Sequence, residues 1–165
     1  MTEARPTIGS PADRAGNIVG LFHGGVTVSD LDRAVAFYCD VLGFALAAQR
    51  DASEDYLREM HTQPFTTVRM AFLAIPNSAT MIELIQYVGV DTQVPRYQPS
   101  DPSTGHLCFL VDDIHAIDGR LRVIGLRSRS ARPVRITAGP NIGGWAVYFH
   151  DPDGYPLEFI QRARA

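Results

Sequence analysis

The sequence predicts an α+β domain made of two βαβββ halves. Three observations lead there. The order strand, helix, three strands is legible twice along the chain. Side chains repeat with it: Val28, Ser29, Asp30 and Leu31 follow His23 at the distances at which Val111, Asp112, Asp113 and Ile114 follow His106, an offset of 106 − 23 = 83. The closing strands match too, "IELIQ" (82–86) against "LEFIQ" (157–161), with an offset of 158 − 83 = 75. Two copies of this length are too long and too few for a solenoid, and they point to a pseudo-two-fold domain.

"GLFHGGVTV" reads as the first strand. "SDLDRAVAFYCDVLGF" reads as a helix, with Ser29 or Asp30 as N-cap and Gly43 after the last turn. Its residues Leu31, Ala34, Val35, Tyr38 and Leu42 fall on one face at helical spacing. "FALAAQR" is a short strand. "SEDYLREMH" is a brief helix, capped by Ser53 with acids in its first turn. "TTVRMAFLAI" and "TMIELIQYV" are strands joined by a turn at Pro76-Asn77-Ser78. A Pro-rich loop, "DTQVPRYQPSDPST", leads to the second half. There "GHLCFLV" is a strand, "DDIHAIDGRLRVIG" a helix, and "PVRIT", "WAVYFHD" and "YPLEFIQ" three more strands. The two offsets differ by 83 − 75 = 8, so the first half carries about eight extra residues, placed in "SEDYLREMHTQPF". The expected organisation is a disordered lead-in over 1–17 and one domain over 18–162, its modules spanning about 18–90 and 104–162.

At 165 residues the chain is long enough for one domain with a core. It is 45% hydrophobic and 20% charged, a soluble globular profile. The net charge of −3 gives no electrostatic case for nucleic acid or an acidic membrane. No apolar run approaches a membrane span. "MTEARPTIGSPADRAGN" has no signal-peptide apolar stretch, and the two cysteines, Cys39 and Cys108, form no disulfide framework. The expected compartment is the reducing cytoplasm.

The question for function is why a glutamate interrupts each closing strand. A lone buried carboxylate costs several kcal/mol unless paired, protonated or bound to a metal. Alternation does not decide, because both neighbours of each glutamate are apolar. A strand histidine is more often a core or edge residue than a ligand, and strand glutamates commonly face solvent. Their coincidence in a duplication outweighs those readings. His23, Glu83, His106 and Glu158 occupy equivalent places in the two halves and form a candidate metal-ligand set. Imidazole and carboxylate together suit a divalent transition metal, with two positions of an octahedral ion left for water or substrate. A closed structural zinc site more typically uses cysteines.

"HGGVTVSDLDRAVAFYCDVLGF", "GHLCFLVDDI" and "DPDGYPLEFIQ" resemble the vicinal oxygen chelate superfamily, which takes in glyoxalase I, methylmalonyl-CoA epimerase, extradiol dioxygenases and the fosfomycin and bleomycin resistance proteins. The likeness covers about residues 18–162. It implies βαβββ modules forming a curled mixed sheet around a metal cleft. It places the ligands at the same four residues, with glyoxalase I and methylmalonyl-CoA epimerase closest in ligand pattern. It implies one divalent ion (Ni, Co, Zn, Mn or Fe), a small-molecule substrate and a homodimer, with the cleft within one chain or shared between two. The activity it implies is that of a metal-dependent lyase or isomerase moving a proton next to a carbonyl, with Glu158 as first and Glu83 as second choice of base. Two alternatives stand beside it. An extradiol-type dioxygenase would use ferrous iron on His23, His106 and Glu158, leaving Glu83 in a position that dioxygen and catechol need. An antibiotic-binding resistance protein would bind without turnover.

Other signals carry less. "DPDG" resembles the start of a calcium loop, but its glycine falls two positions early, and a hairpin turn explains it better. "GPNIGGW" is no P-loop and reads as a flap over the cleft. Cys108 shares a strand face with His106. His115 reads as an exposed helix residue, and His150 as a neighbour of the site. Glu54 and Glu59 read as a solvated helix face.

Overall fold

The computed structural model describes residues 16–93 and 98–164. Most of the expected lead-in and part of the Pro-rich loop lie outside them. Eight strands form two four-stranded sheets. The first contains β1 (His23–Thr27), β2 (Ala45–Ala52), β3 (Thr67–Ala74) and β4 (Met81–Val88), in the order β1-β4-β3-β2. The second contains β5 (Leu107–Leu110), β6 (Val134–Arg135), β7 (Trp145–His150) and β8 (Pro156–Gln161), in the order β5-β8-β7-β6. Both sheets are mixed: β1 and β5 run parallel to β4 and β8, and the other pairings are antiparallel.

Helix α1 (Leu31–Ala36) connects β1 to β2. Its N-cap is Asp30, whose carboxylate accepts from Arg33 N at 3.0 Å. The chain then runs on through a π-helical segment, Phe37–Val41, which buries the adjacent rings of Phe37 and Tyr38. Gly43, at φ +82, ends the helix as its position in the sequence predicts. Helix α3 (Ile114–Val123) repeats the scheme, with Asp113 accepting from His115 N and Ala116 N. The repeated glutamine of the closing strands reinforces each start. Gln86 Oε1 accepts from Leu31 N at 3.2 Å, and Gln161 Oε1 accepts from Ile114 N at 2.8 Å.

Helix α2 (Asp55–His61) lies in the predicted insertion, and no helix stands between β6 and β7. Its N-cap is Glu54 rather than the expected Ser53, and no side chain caps it. Instead Arg58 ties the start down, donating to the Ser53 carbonyl and the Asp55 carboxylate. Leu57 packs with Ala52, Phe65 and Val68 in a small core of its own.

The main core draws on both halves. Val26, Leu31, Leu73, Ile82 and Leu84 meet Ile114, Leu121, Val147, Phe149, Leu157 and Phe159. Full burial of each such side chain contributes about 1.5–3 kcal/mol. The halves are also clasped by the turn between β7 and β8, where Gly154 has φ +90 as a hairpin turn requires. Asp151, only 4% exposed, accepts from Asp153 N, Tyr155 N and the Tyr38 hydroxyl of the other half. Asp153 accepts from Ser29 N and Oγ and from Arg33, at the start of α1.

The loop read as a flap is held closed on itself. Ile136 N donates to Gly144 O, Gly143 N to Ile136 O, and Gly144 N to Asn141 O. A Cβ at Gly144 would sit 2.4 Å from the Gln161 carbonyl, so only glycine lets these backbones meet. Among the described residues no helix is long and apolar enough to cross a membrane.

Candidate metal centre

The strand pattern sets the site. Ile82 and Leu84 are buried at 1% and 0% exposure, so Glu83 between them emerges on the other face of β4. Leu157 and Phe159 do the same for Glu158. Glu83 is level with Gly25 on β1, and Glu158 with Cys108 on β5. Each histidine lies two residues before that partner, on the same face. His23 Nε2 lies 3.1 Å from Glu83 Oε2, and His106 Nε2 3.0 Å from Glu158 Oε2. The carboxylates are mostly covered (13% and 15% exposed), while the imidazoles are more open (30% and 43%).

So the structure brings the four predicted residues together as two equivalent pairs, one per sheet. Within one chain no three of the described His, Cys, Asp or Glu side chains gather as a metal-holding group. The pairs themselves suit a shared ion. Ligand bonds of about 2.1 Å put neighbouring corners of an octahedron about 3.0 Å apart, the separation both pairs show. An imidazole and a carboxylate also hold one another at that distance by a hydrogen bond. His23 Nδ1 is buried with no hydrogen-bond partner among the described residues. Ring contacts with Phe22 at 5.0 Å and Phe72 at 5.6 Å orient its imidazole instead.

The surroundings of the two pairs differ. Opposite Glu83 on β3 stands Phe72, and opposite Glu158 on β7 stands Tyr148. Each ring meets its histidine edge-on, Phe72 on His23 and Tyr148 on His106, the latter at 5.3 Å. The first pair thus has a glycine and a phenyl ring beside it, and the second a thiol and a phenol. The Tyr148 hydroxyl is 3.4 Å from His106 Nε2. Burial, then the Glu158 carboxylate, raises the phenol above its ordinary range. Burial and the same carboxylate push the Cys108 thiol up to about 12.

His106 and Tyr148 open onto a cleft of about 410 Å³, lined also by Gln98, Thr104, Arg129 and Pro156. The size suits a small metabolite. The remaining histidines stand apart from the pairs: His61 bonds Tyr87, His115 stacks edge-on against Trp145, and His150 faces Arg129. Glu54 pairs with Arg50. Tyr148 and Arg129 escape sequence reading. The one available signal is the likeness of β3 to β7, and it is blurred because the first hairpin is a residue longer (83 − 72 = 11 against 158 − 148 = 10).

With this geometry established, comparison places the chain. The sequence pattern of the Glyoxalase/Bleomycin resistance protein/Dioxygenase superfamily matches residues 20–159, and the chain belongs to that family. It is 34% identical over 145 residues to a 2-epi-5-epi-valiolone epimerase from an Actinomyces species, covering 86% of this chain and 79% of that one. It is also 34% identical over 145 residues to the lactoylglutathione lyase of Haemophilus influenzae, covering 86% and 91%. A solved glyoxalase family protein from Bacillus cereus shares the fold at a TM-score of 0.77 and 15% identity, over 92% of this chain and 99% of that one.

Proposed function

We propose that the protein is a metal-dependent lyase or isomerase that moves a proton next to the carbonyl of a small metabolite. The observation that carries this reading is the His–Glu pair built twice in equivalent register, at 3.1 Å and 3.0 Å. His23, Glu83, His106 and Glu158 would hold one divalent ion of Ni, Co, Zn, Mn or Fe. When bound, such an ion stabilises negative charge on an oxygen next to the carbon that loses its proton. Because the pairs of one chain stand apart, a homodimer that sets the first pair of one copy against the second pair of the other supplies the full set.

Within this site Glu158 is the base. Tyr148 and Cys108 face it, both kept protonated near neutrality, so it is the group there that takes a proton. Buried Leu157 and Phe159 on either side fix its strand. Glu83 stands beside Phe72 and Gly25, and the phenol that burial and then its charge raise, Tyr87, is bonded to His61; its part is to hold the ion and, second to Glu158, to return the proton. The relatives named for an epimerase and a lyase support this class of reaction.

The test has two readings. Protein reconstituted with excess Ni, Co, Mn, Fe or Zn is analysed for bound metal, and metal-loaded protein is incubated in D2O with α-hydroxy ketones, cyclic sugar-derived ketones and lactoylglutathione. The expected result is about one ion per chain, and deuterium next to the carbonyl of one compound with wild type but not with Glu158→Gln. Failure to hold any of these metals sinks the proposal. Light scattering checks the dimer.

A further inference from the structure

We propose that Arg129 forms an anion subsite in the cleft beside His106, so that the substrate carries a carboxylate at the end remote from the reacting carbon. The inference rests on the reading above for where the reacting end sits. The subsite itself stands on separate observations.

Arg129 lines the same cleft as His106 and Tyr148. Its backbone N–H donates to the Tyr148 carbonyl at 3.0 Å, which fixes the loop 124–133 against β7. Its side chain is not spent on an ion pair: among the described residues no carboxylate lies within reach of it, although Arg33, Arg50, Arg58, Arg69 and Arg122 each have one. Nor does any carboxylate appear among the described residues lining the cleft. The nearest partner is an imidazole, His150, whose Nε2 stands 3.3 Å from an Arg129 terminal nitrogen. A guanidinium has donors only, so this Nε2 accepts and the His150 ring is neutral. Burial first, and then the Arg129 charge, lower the His150 pKa in the same sense. An uncharged ring thus steers the guanidinium without cancelling its charge. Tyr148 is the register partner of Glu158, and His150 lies two residues on, on the same face of β7. The cation therefore stands in the cleft walled by His106 and Tyr148, both neighbours of the candidate base.

A free, oriented cation in a cleft of this size recognises an anion. One guanidinium presents one fork, which matches the two oxygens of a carboxylate; a dianionic phosphate calls for a second cation, and no other Arg or Lys appears among the described residues lining the cleft. The substrate class is accordingly a small α-hydroxy- or α-oxo-carbonyl compound with a second, carboxylate-bearing end.

Two measurements test this. In the first, zinc-loaded protein is titrated calorimetrically with butyrohydroxamate, a neutral two-oxygen chelator, and with its analogues ending in a carboxylate or a phosphonate. The carboxylate analogue is expected to bind at least tenfold more tightly than the neutral one. Arg129→Gln should reduce that preference to under twofold and leave the neutral probe unchanged. Arg127→Gln, an exposed arginine of the same loop, should preserve the preference, and His150→Phe should reduce it partway. Equal binding of neutral and carboxylate probes to wild type, or a preference that survives Arg129→Gln, overturns the subsite; a larger Arg129-dependent preference for the phosphonate overturns the choice of carboxylate. The second measurement needs no metal. Metal-free protein is titrated with glutarate while the arginine Nε–Hε NMR signals are followed. The Arg129 signal, identified by its loss in Arg129→Gln, should shift saturably and the others should not. Shifts shared by all arginines, or none, refute the subsite. If this shift occurs and no hydroxamate binds, the metal reading has failed and the anion subsite stands.

Discussion

Replacing Asp151 by alanine tests the clasp between the two halves. The carboxylate is 4% exposed and accepts three hydrogen bonds, from Asp153 N at 2.9 Å, Tyr155 N at 2.8 Å and the Tyr38 hydroxyl at 3.2 Å. The substitution leaves three covered donors unsatisfied, at about 1 kcal/mol each, for a loss of about 3 kcal/mol. For a chain of this size that lowers Tm by roughly 6–12 °C. Urea unfolding followed by the fluorescence of the single tryptophan, Trp145, measures it. Asp151→Asn keeps an acceptor for both backbone donors and should lose about 1 kcal/mol or less at neutral pH. Acid gives a second readout. Burial raises the Asp151 pKa above the ordinary 3.8, so the native state binds this proton before the unfolded chain does. Stability of wild type relative to Asp151→Asn should therefore rise as pH falls from neutrality towards 3.8 and level off below it. An alanine variant within 1 kcal/mol of wild type would refute the reasoning.

Other outcomes follow from single contacts. Gln161→Leu removes the acceptor for Ile114 N and should cost about 1 kcal/mol by urea unfolding, and Gln86→Leu, which also loses bonds to Ser29 O and Arg69, should cost more. Gly144→Ala drives a Cβ to 2.4 Å from the Gln161 carbonyl, and should fold poorly or lose roughly 2 kcal/mol or more, read by calorimetry. With its thiol pushed up to about 12, Cys108 should react with iodoacetamide at pH 8 roughly 100-fold or more slower than free cysteine, its rate still climbing at pH 10, as mass spectrometry of the labelled peptide would show.

Much of this was legible because duplication repeats what matters. The two offsets located the histidines, the glutamates and the inserted helix, since each depends on short-range pattern. The Gln86 and Gln161 caps were printed in the same repeat, but a glutamine three residues past a glutamate does not announce a helix on another segment. The clasp was hidden for a plainer reason. "DPDG" declares a turn locally, while its partners Tyr38 and Ser29 lie more than a hundred residues earlier. Arg129 was hidden in an arginine-rich loop whose composition gives no sign of which arginine faces a cleft. Its freedom from the described carboxylates is a fact of tertiary placement. The expected Ser53 cap failed because Arg58 reached back to secure the same turn.

The closing strands have one consequence that reaches beyond capping. Glutamate and glutamine sit three apart, at positions of opposite parity, so one meets its histidine while the other reaches a helix start. A slip of β4 or β8 by a single residue would turn a carboxylate into the apolar core and withdraw the glutamine from its helix in the same movement. Misalignment is therefore penalised on both faces at once. The register that buries the apolar face of each closing strand is thus also the register that presents its His–Glu pair.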